Sequence, residues 1–218
     1  MTRNFAHIIF SFLLLSGFVA LSGSSHSSNK LGIFSNWSEV GDTGQSGGAF
    51  FNSAEEAYYL RGAGHNIWSN KDGFGFLWKE VSGDITMEGS VTIIHLSKAP
   101  HRKAGWMIRS SLDPNAAHVT CALHGDGLIA LQYRPAKGAE TKGIPFQMKF
   151  ADSLRLEKRG KLYTMTAIKD KQLIETKSVS LEGFEGPLLA GPWVCSKDVE
   201  QLEAARFGNV RFYDKDSK

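Results

Sequence analysis

Between Lys103 and Arg134 the chain sorts its residues onto two faces with a period of two. Trp106 and Ile108 alternate with Gly105, Met107 and Arg109. Val119, Cys121 and Leu123 alternate with His118, Thr120, Ala122 and His124, and Ile129, Leu131 and Tyr133 alternate with Leu128, Ala130, Gln132 and Arg134. Strand side chains point alternately to the two sides of a sheet, so the pattern predicts three strands. One side is bulky and apolar and suits the core of a sandwich. The other mixes small residues with Arg, His, Thr and Gln, which suits an open sheet face able to hold a polar ligand. Asp113-Pro114-Asn115 and Gly125-Asp126-Gly127 supply the turns between the three strands.

The same reading extends along most of the chain. Tyr58 to Arg61 is β-prone and is broken by Gly62-Ala63-Gly64. Phe74, Phe76 and Trp78 alternate with Gly75, Leu77 and Lys79, and Val81-Ser82-Gly83-Asp84 turns the chain. Ile85, Met87, Gly89, Val91 and Ile93 face one way, against Thr86, Glu88, Ser90 and Thr92. Leu154 to Glu157 and Leu162 to Ile168 flank Arg159-Gly160-Lys161 as a hairpin, and another strand runs through Lys177. Leu188 to Val194 and Ala205 to Tyr213 supply the last two strands, and Asp198 to Ala204 is expected to form one or two helical turns. About ten to twelve short strands with Gly-rich turns and no helical alternation predict an all-β, antiparallel two-sheet sandwich. No internal repeat suggests a propeller or a solenoid.

Composition changes the picture at the N-terminus. Arg3 precedes an apolar run from Phe5 to Leu21, and Ala20-Leu21-Ser22 fits the small-x-small pattern ahead of a cut near Gly23. Residues 1–23 therefore read as a secretory signal peptide, with an uncleaved membrane anchor as the alternative. Ser, Gly, His and Asn dominate the next stretch, so residues 24–34 read as a disordered spacer and 35–214 as one sandwich domain. The expected location is secreted or periplasmic, with no membrane association after cleavage. Among 218 residues the formal charge is +3, and the basic residues are dispersed among acidic ones, so no nucleic-acid partner is expected. Two cysteines, Cys121 and Cys195, allow one disulfide in an exported protein, or two buried free thiols.

Three segments then carry a family resemblance. These are Gly64-His65-Asn66-Ile67-Trp68 with Asp72, Phe74 and the Ser82-Gly83-Asp84 turn; the run from Lys103 through Asp113 with His118-Val119; and Phe207-Gly208-Asn209-Val210. Together they resemble the concanavalin A-like domains of the DUF1349 family, related to the C-terminal sandwich of some β-xylosidases. The likeness covers roughly Phe51 to Phe212, and its most specific part is the run beginning at Lys103. It implies a jelly roll with a curved concave face, found mostly as accessory domains of exported bacterial proteins, and it does not imply one activity.

Arg109, His118, Thr120, Gln132 and Arg134 share the non-core parity on consecutive strands, which are usually neighbours in space. Forked donors, amides and an aromatic ring are the groups that hold a sugar, so these five are the expected ligand-binding residues. Trp68 or Trp193, expected in flanking loops, would supply the ring, whereas Trp106 and Trp78 fall on the apolar parity of the core. The opposing reading is an ordinary solvated sheet face.

No catalytic residues are expected. Glucanases of this fold carry Glu-x-Asp-x-Glu on one strand; here the nearest string is Asp198-Val199-Glu200, in a polar stretch. Asp72, Glu80, Asp84 and Glu88 have no evident carboxylate partner at the separation that glycoside cleavage requires. His118 and His124 are too far apart along one strand to share an ion, and His65, His95 and His101 are isolated, so no transition metal is expected. A structural calcium ion near Asp72 or Asp113 is compatible with the fold class. Gly62-Ala63-Gly64 lacks the Lys-Ser/Thr ending of a phosphate loop. The expectation is an exported, non-catalytic domain that binds a glycan on its concave sheet. The alternatives are a glycoside hydrolase of the same fold and an envelope protein-interaction module.

Overall fold

The computed structural model describes residues 30–94 and 96–214. The expected signal peptide, most of the expected spacer and His95 lie outside the described residues. Fifteen strands form among the described residues. The first are β1 (Asn36–Val40), β2 (Gly48–Asn52), β3 (Ala57–Gly64), β4 (Asn66–Trp68) and β5 (Lys71–Val81). Then come β6 (Ile85–Ile93), β7 (Lys103–Arg109), β8 (His118–His124), β9 (Leu128–Arg134) and β10 (Lys142–Lys149). β11 (Ser153–Arg159), β12 (Leu162–Lys169), β13 (Gln172–Ser180), β14 (Leu188–Cys195) and β15 (Asp198–Tyr213) complete the order.

One sheet runs β1-β5-β14-β7-β8-β9-β10, with β4 folded back onto β5; the other runs β13-β12-β11-β6-β15-β3-β2. The fold is thus all-β, a two-sheet jelly-roll sandwich with antiparallel pairing throughout. Its three expected central strands are β7, β8 and β9, in a register that places Arg109, His118 and Arg134 side by side. One row further in stand Met107, Thr120 and Gln132.

Alternation separates the faces as expected on these strands. Trp106, Ile108, Val119, Cys121 and Leu131 enter the core between the sheets. The Trp106 ring meets Phe207 edge-on at 5.1 Å, and its Nε1 donates to the Leu154 carbonyl at 3.1 Å. Burying each such side chain contributes about 1.5–3 kcal/mol, and its polar handle is satisfied.

On β5 the assignment differs from expectation. Leu77 faces the core between the sheets, while Phe74, Phe76 and partly buried Trp78 lie in a second apolar cluster with Val40, Ile67, Met107, Ala122, Trp193 and Cys195. That second cluster occupies the outer face of the eight-stranded sheet, because Met107 and Ala122 carry the outer parity of β7 and β8. Trp193 is a fully buried residue of β14, so it is not a loop platform.

Two further expectations are corrected, and of the two alternatives for the cysteines the buried free thiols hold. Asp198 to Ala204 is the start of β15, where a register shift between Asp198 and Glu203 breaks the period-two pattern that would have marked a strand. The folded body begins before residue 35: Phe34 is fully buried, and the Ile33 amide donates to the Tyr58 hydroxyl at 3.0 Å. Cys121 and Cys195 are both free and buried on opposite faces of one sheet, which rules out a bond between them.

Candidate functional site

The outer face of the eight-stranded sheet is covered by its own chain. Gly64 leaves β3 at φ +136, where an added Cβ would come within 2.0 Å of the Gly73 carbonyl oxygen, so only glycine makes this corner. β4 then pairs with the first residues of β5, and the resulting hairpin lies across β7, β8 and β9. Ala122, a small outer-face residue of β8, leaves room above the sheet. Ile67 fills it and is completely buried. What reads in the sequence as space for a ligand is space for this hairpin.

Asp72, at the base of the hairpin, gathers the expected site residues. Arg134 donates to both of its carboxylate oxygens, at 2.8 and 2.7 Å. Arg109 approaches the same carboxylate at 3.4 Å, and its guanidinium lies 5.1 Å above the Phe74 ring. The remaining donors of both arginines close the surrounding loops: Arg109 reaches the carbonyls of Ser111 and Asp113, and Arg134 those of Ser69, Ala116 and Ala139. Arg134 also donates to the Thr141 hydroxyl at 3.0 Å. Such forked, fully bonded geometry is what allows a guanidinium to be buried with its charge. Burial nonetheless lowers the Arg109 pKa to about 10, against the opposing pull of Asp72.

His118 sits beside this pair with Nε2 4.0 Å from Asp72, and neither ring nitrogen has a hydrogen-bond partner. Burial first, and then the charges of Arg109, Arg134 and Lys103, hold its pKa well below the usual histidine range, so the ring is neutral. Thr120 gives its hydroxyl to the Trp106 carbonyl at 2.8 Å. Gln132 accepts from the Lys103 ammonium at 3.5 Å, and Lys103 also donates to the Ile67 carbonyl at 3.1 Å, latching the hairpin from below. Burial lowers the Lys103 pKa to about 8.

The structure therefore brings Arg109, His118 and Arg134 together, with Thr120 and Gln132 in the next row, but it closes them off. The expected open face is corrected here: four of the five are fully buried and Gln132 is nearly so. Trp68 differs. It lies at the hairpin tip, 42% exposed, with its ring edge 3.4 Å from where a Cβ on Gly143 would stand. Gly143 pairs with Gln132 across β9 and β10, so the Trp68 ring rests on the sheet beside solvent.

Sequence reasoning missed Asp72 as the hub and Ile67 and Lys103 as its fastenings. The one available signal was an excess of cations on a single strand face without an anion in the same segment. Nor do the acidic groups suit calcium. Both Asp72 oxygens are engaged by Arg134, and the Asp113 carboxylate is bound by Lys137 at 2.5 Å. The other carboxylates considered are dispersed: Asp84 accepts from the Gly160 amide and Glu88 is paired with Arg155.

No family model matches the chain, and no curated protein matches it. Solved structures do. A protein of unknown function from Saccharomyces cerevisiae superposes with a TM-score of 0.60 at 14% identity, covering 82% of this chain and 95% of that one. The carbohydrate-binding module CBM66 from Bacillus subtilis gives 0.52 at 16% identity, covering 84% and 98%. An alginate lyase, A1-II′, gives 0.54 at 14% identity, covering 82% and 94%. These likenesses establish the jelly-roll sandwich and extend no further.

Proposed function

We propose that this chain is an exported, DUF1349-like domain that binds carbohydrate and performs no chemistry on it. The observation that carries this reading is Trp68. A half-exposed indole on a short, doubly fastened hairpin offers an apolar plane for the C–H face of a sugar ring at little cost in ordering. Gly143 beneath it keeps the adjoining surface flat. The fold is one that a carbohydrate-binding module and alginate lyases also use. On this chain two groups of that sheet that could serve as acid or base are sealed: Asp72 is held by Arg134, and neutral His118 is fully buried.

The test is retention of the folded protein on a panel of neutral and acidic polysaccharides, with release of reducing ends measured in parallel. Wild-type protein should be retained by at least one glycan, and Trp68→Ala should weaken that retention about tenfold without lowering thermal stability. Retention unaffected by Trp68→Ala would remove the role given to Trp68. Release of reducing ends by the wild type would overturn the non-catalytic reading in favour of a hydrolase or lyase. Export is tested by the N-terminus of protein recovered outside the cytoplasm, which should begin near residue 24.

A further inference from the structure

The covering hairpin has a free face as well as a buried one. Lys71 stands directly opposite Trp68 across the β4–β5 pair, so the two side chains share one face of the hairpin, with Cβ atoms about 5 Å apart. Lys71 and Gly73 form one wall of a pocket of about 400 Å³. His65 and Asp42 supply further polar groups, and Pro114 and Val199 an apolar surface. The walls are locked together through the backbone. The Asp72 amide donates to the Pro114 carbonyl at 2.8 Å. A Cβ on Gly41 would come within 2.1 Å of the Asp72 carbonyl oxygen, and one on Gly73 within 2.6 Å of the Asp42 carbonyl oxygen. The polar side chains, by contrast, are uncommitted. Those of His65 and Lys71 are exposed and make no hydrogen bond or ion pair among the described residues. Asp42 accepts from the Gly44 amide at 3.1 Å through one carboxylate oxygen, and its other oxygen has no such bond.

We infer that this pocket and the Trp68 ring are neighbouring subsites of one saccharide site, and that the saccharide is uncharged. The inference rests on the carbohydrate-binding reading above and adds the residues beside Trp68 and the ligand class. Charge decides the class. Lys71 and Asp42 cancel, and the Asp72 carboxylate is already occupied by Arg134. A carboxylate or sulfate on the ligand would meet Asp42, and an amine would meet Lys71. Hydroxyl groups both donate and accept, and here they find both kinds of partner. The Lys71 ammonium donates, the Asp42 carboxylate accepts, and a neutral His65 ring does one of each. A few convergent polar groups in a rigid concave wall are the usual make-up of a small-molecule site. His65 lies three residues before Trp68 along the chain, on the order of 10 Å away. A sugar ring stacked on Trp68 therefore leads its neighbour in the glycan past Lys71 toward the pocket.

The experiment is affinity gel electrophoresis of the folded protein, with xyloglucan and galactomannan as the neutral members of the panel above and polygalacturonate as the acidic one. Wild type should be retarded by at least one neutral polymer, and added salt should leave that retardation unchanged. The His65→Ala/Lys71→Ala pair, at exposed positions, and separately Trp68→Ala, should each weaken it about tenfold at unchanged thermal stability. Asp42→Ser, which keeps an oxygen for the Gly44 amide, repeats the test from the opposite wall. No loss, or a loss confined to the pocket variants or to Trp68→Ala, overturns the inference. So does stronger retardation by polygalacturonate than by either neutral polymer. Those outcomes leave carbohydrate binding itself intact. Retardation by none of the polymers overturns both.

Discussion

Arg134 and Asp72, separated by 62 residues in the chain, meet in two parallel hydrogen bonds of 2.8 and 2.7 Å with both side chains fully buried. Each partner satisfies the other, and loop carbonyls complete the guanidinium. Removing one side leaves an uncompensated charge in the protein interior. Asp72→Asn and Arg134→Ala should therefore each lower the unfolding free energy by about 3–5 kcal/mol. Arg109→Ala should also destabilise, by a smaller amount because its contact to Asp72 is longer. Chemical denaturation of the three variants measures this. Wild-type stability in Arg134→Ala would show that the clasp is ornamental.

The covering hairpin depends on one apolar anchor. Ile67→Ala removes a completely buried side chain from the second cluster and should cost about 2–5 kcal/mol, depending on how far the site collapses. The same substitution should make residues 64–73 a preferred site of proteolysis. Cleavage mapped by mass spectrometry elsewhere, with these residues still protected, would place the anchor in another residue.

Acid should act through two histidines. Burial holds His118 well below its usual range and brings His124 to about 4, with the Lys103 charge adding to both shifts. In the unfolded chain each titrates near pH 6.5. Between those limits the unfolded state binds more protons, so stability present above about pH 6.5 is lost as pH falls toward 4. For His124 the loss is on the order of 3 kcal/mol. Urea unfolding against pH should show this slope, and His124→Gln should flatten part of it. An identical slope in the variant would assign the acid sensitivity elsewhere.

Both cysteines should behave as inert thiols. They occupy opposite faces of one sheet, and burial raises the Cys121 pKa to about 12 and that of Cys195 in the same direction. The native protein should resist a thiol reagent, two equivalents should react after denaturation, and the unfolding midpoint should not depend on reductant. A midpoint lowered by reductant would contradict the arrangement of the two strands.

Alternation made β7, β8 and β9 legible and put Trp106 and Cys121 on the correct side, because period two reports the side a residue takes. It does not report what lies above that side. A three-residue strand such as Asn66–Trp68 is too short to carry a pattern, so the hairpin over Arg109, His118 and Arg134 stayed hidden and their face read as open. Trp78 and Trp193 were misplaced for the same reason, since on β5 and β14 the outer face is itself apolar beneath that cover. Strand β10 was missed because Pro145 interrupts it, which an edge strand tolerates. Of the expected binding residues, Trp68 alone keeps substantial solvent access.

The clasp at Asp72 also carries a statement about time. It needs β7, β8 and β9 in register and the β4–β5 hairpin folded over them, so we expect it to form late in assembly. Interactions that form after the transition state leave the speed of folding almost untouched and slow the reverse step. On that expectation, Arg134→Ala should speed unfolding and leave the folding rate unchanged, and the buried charges would set how long a folded molecule survives once made.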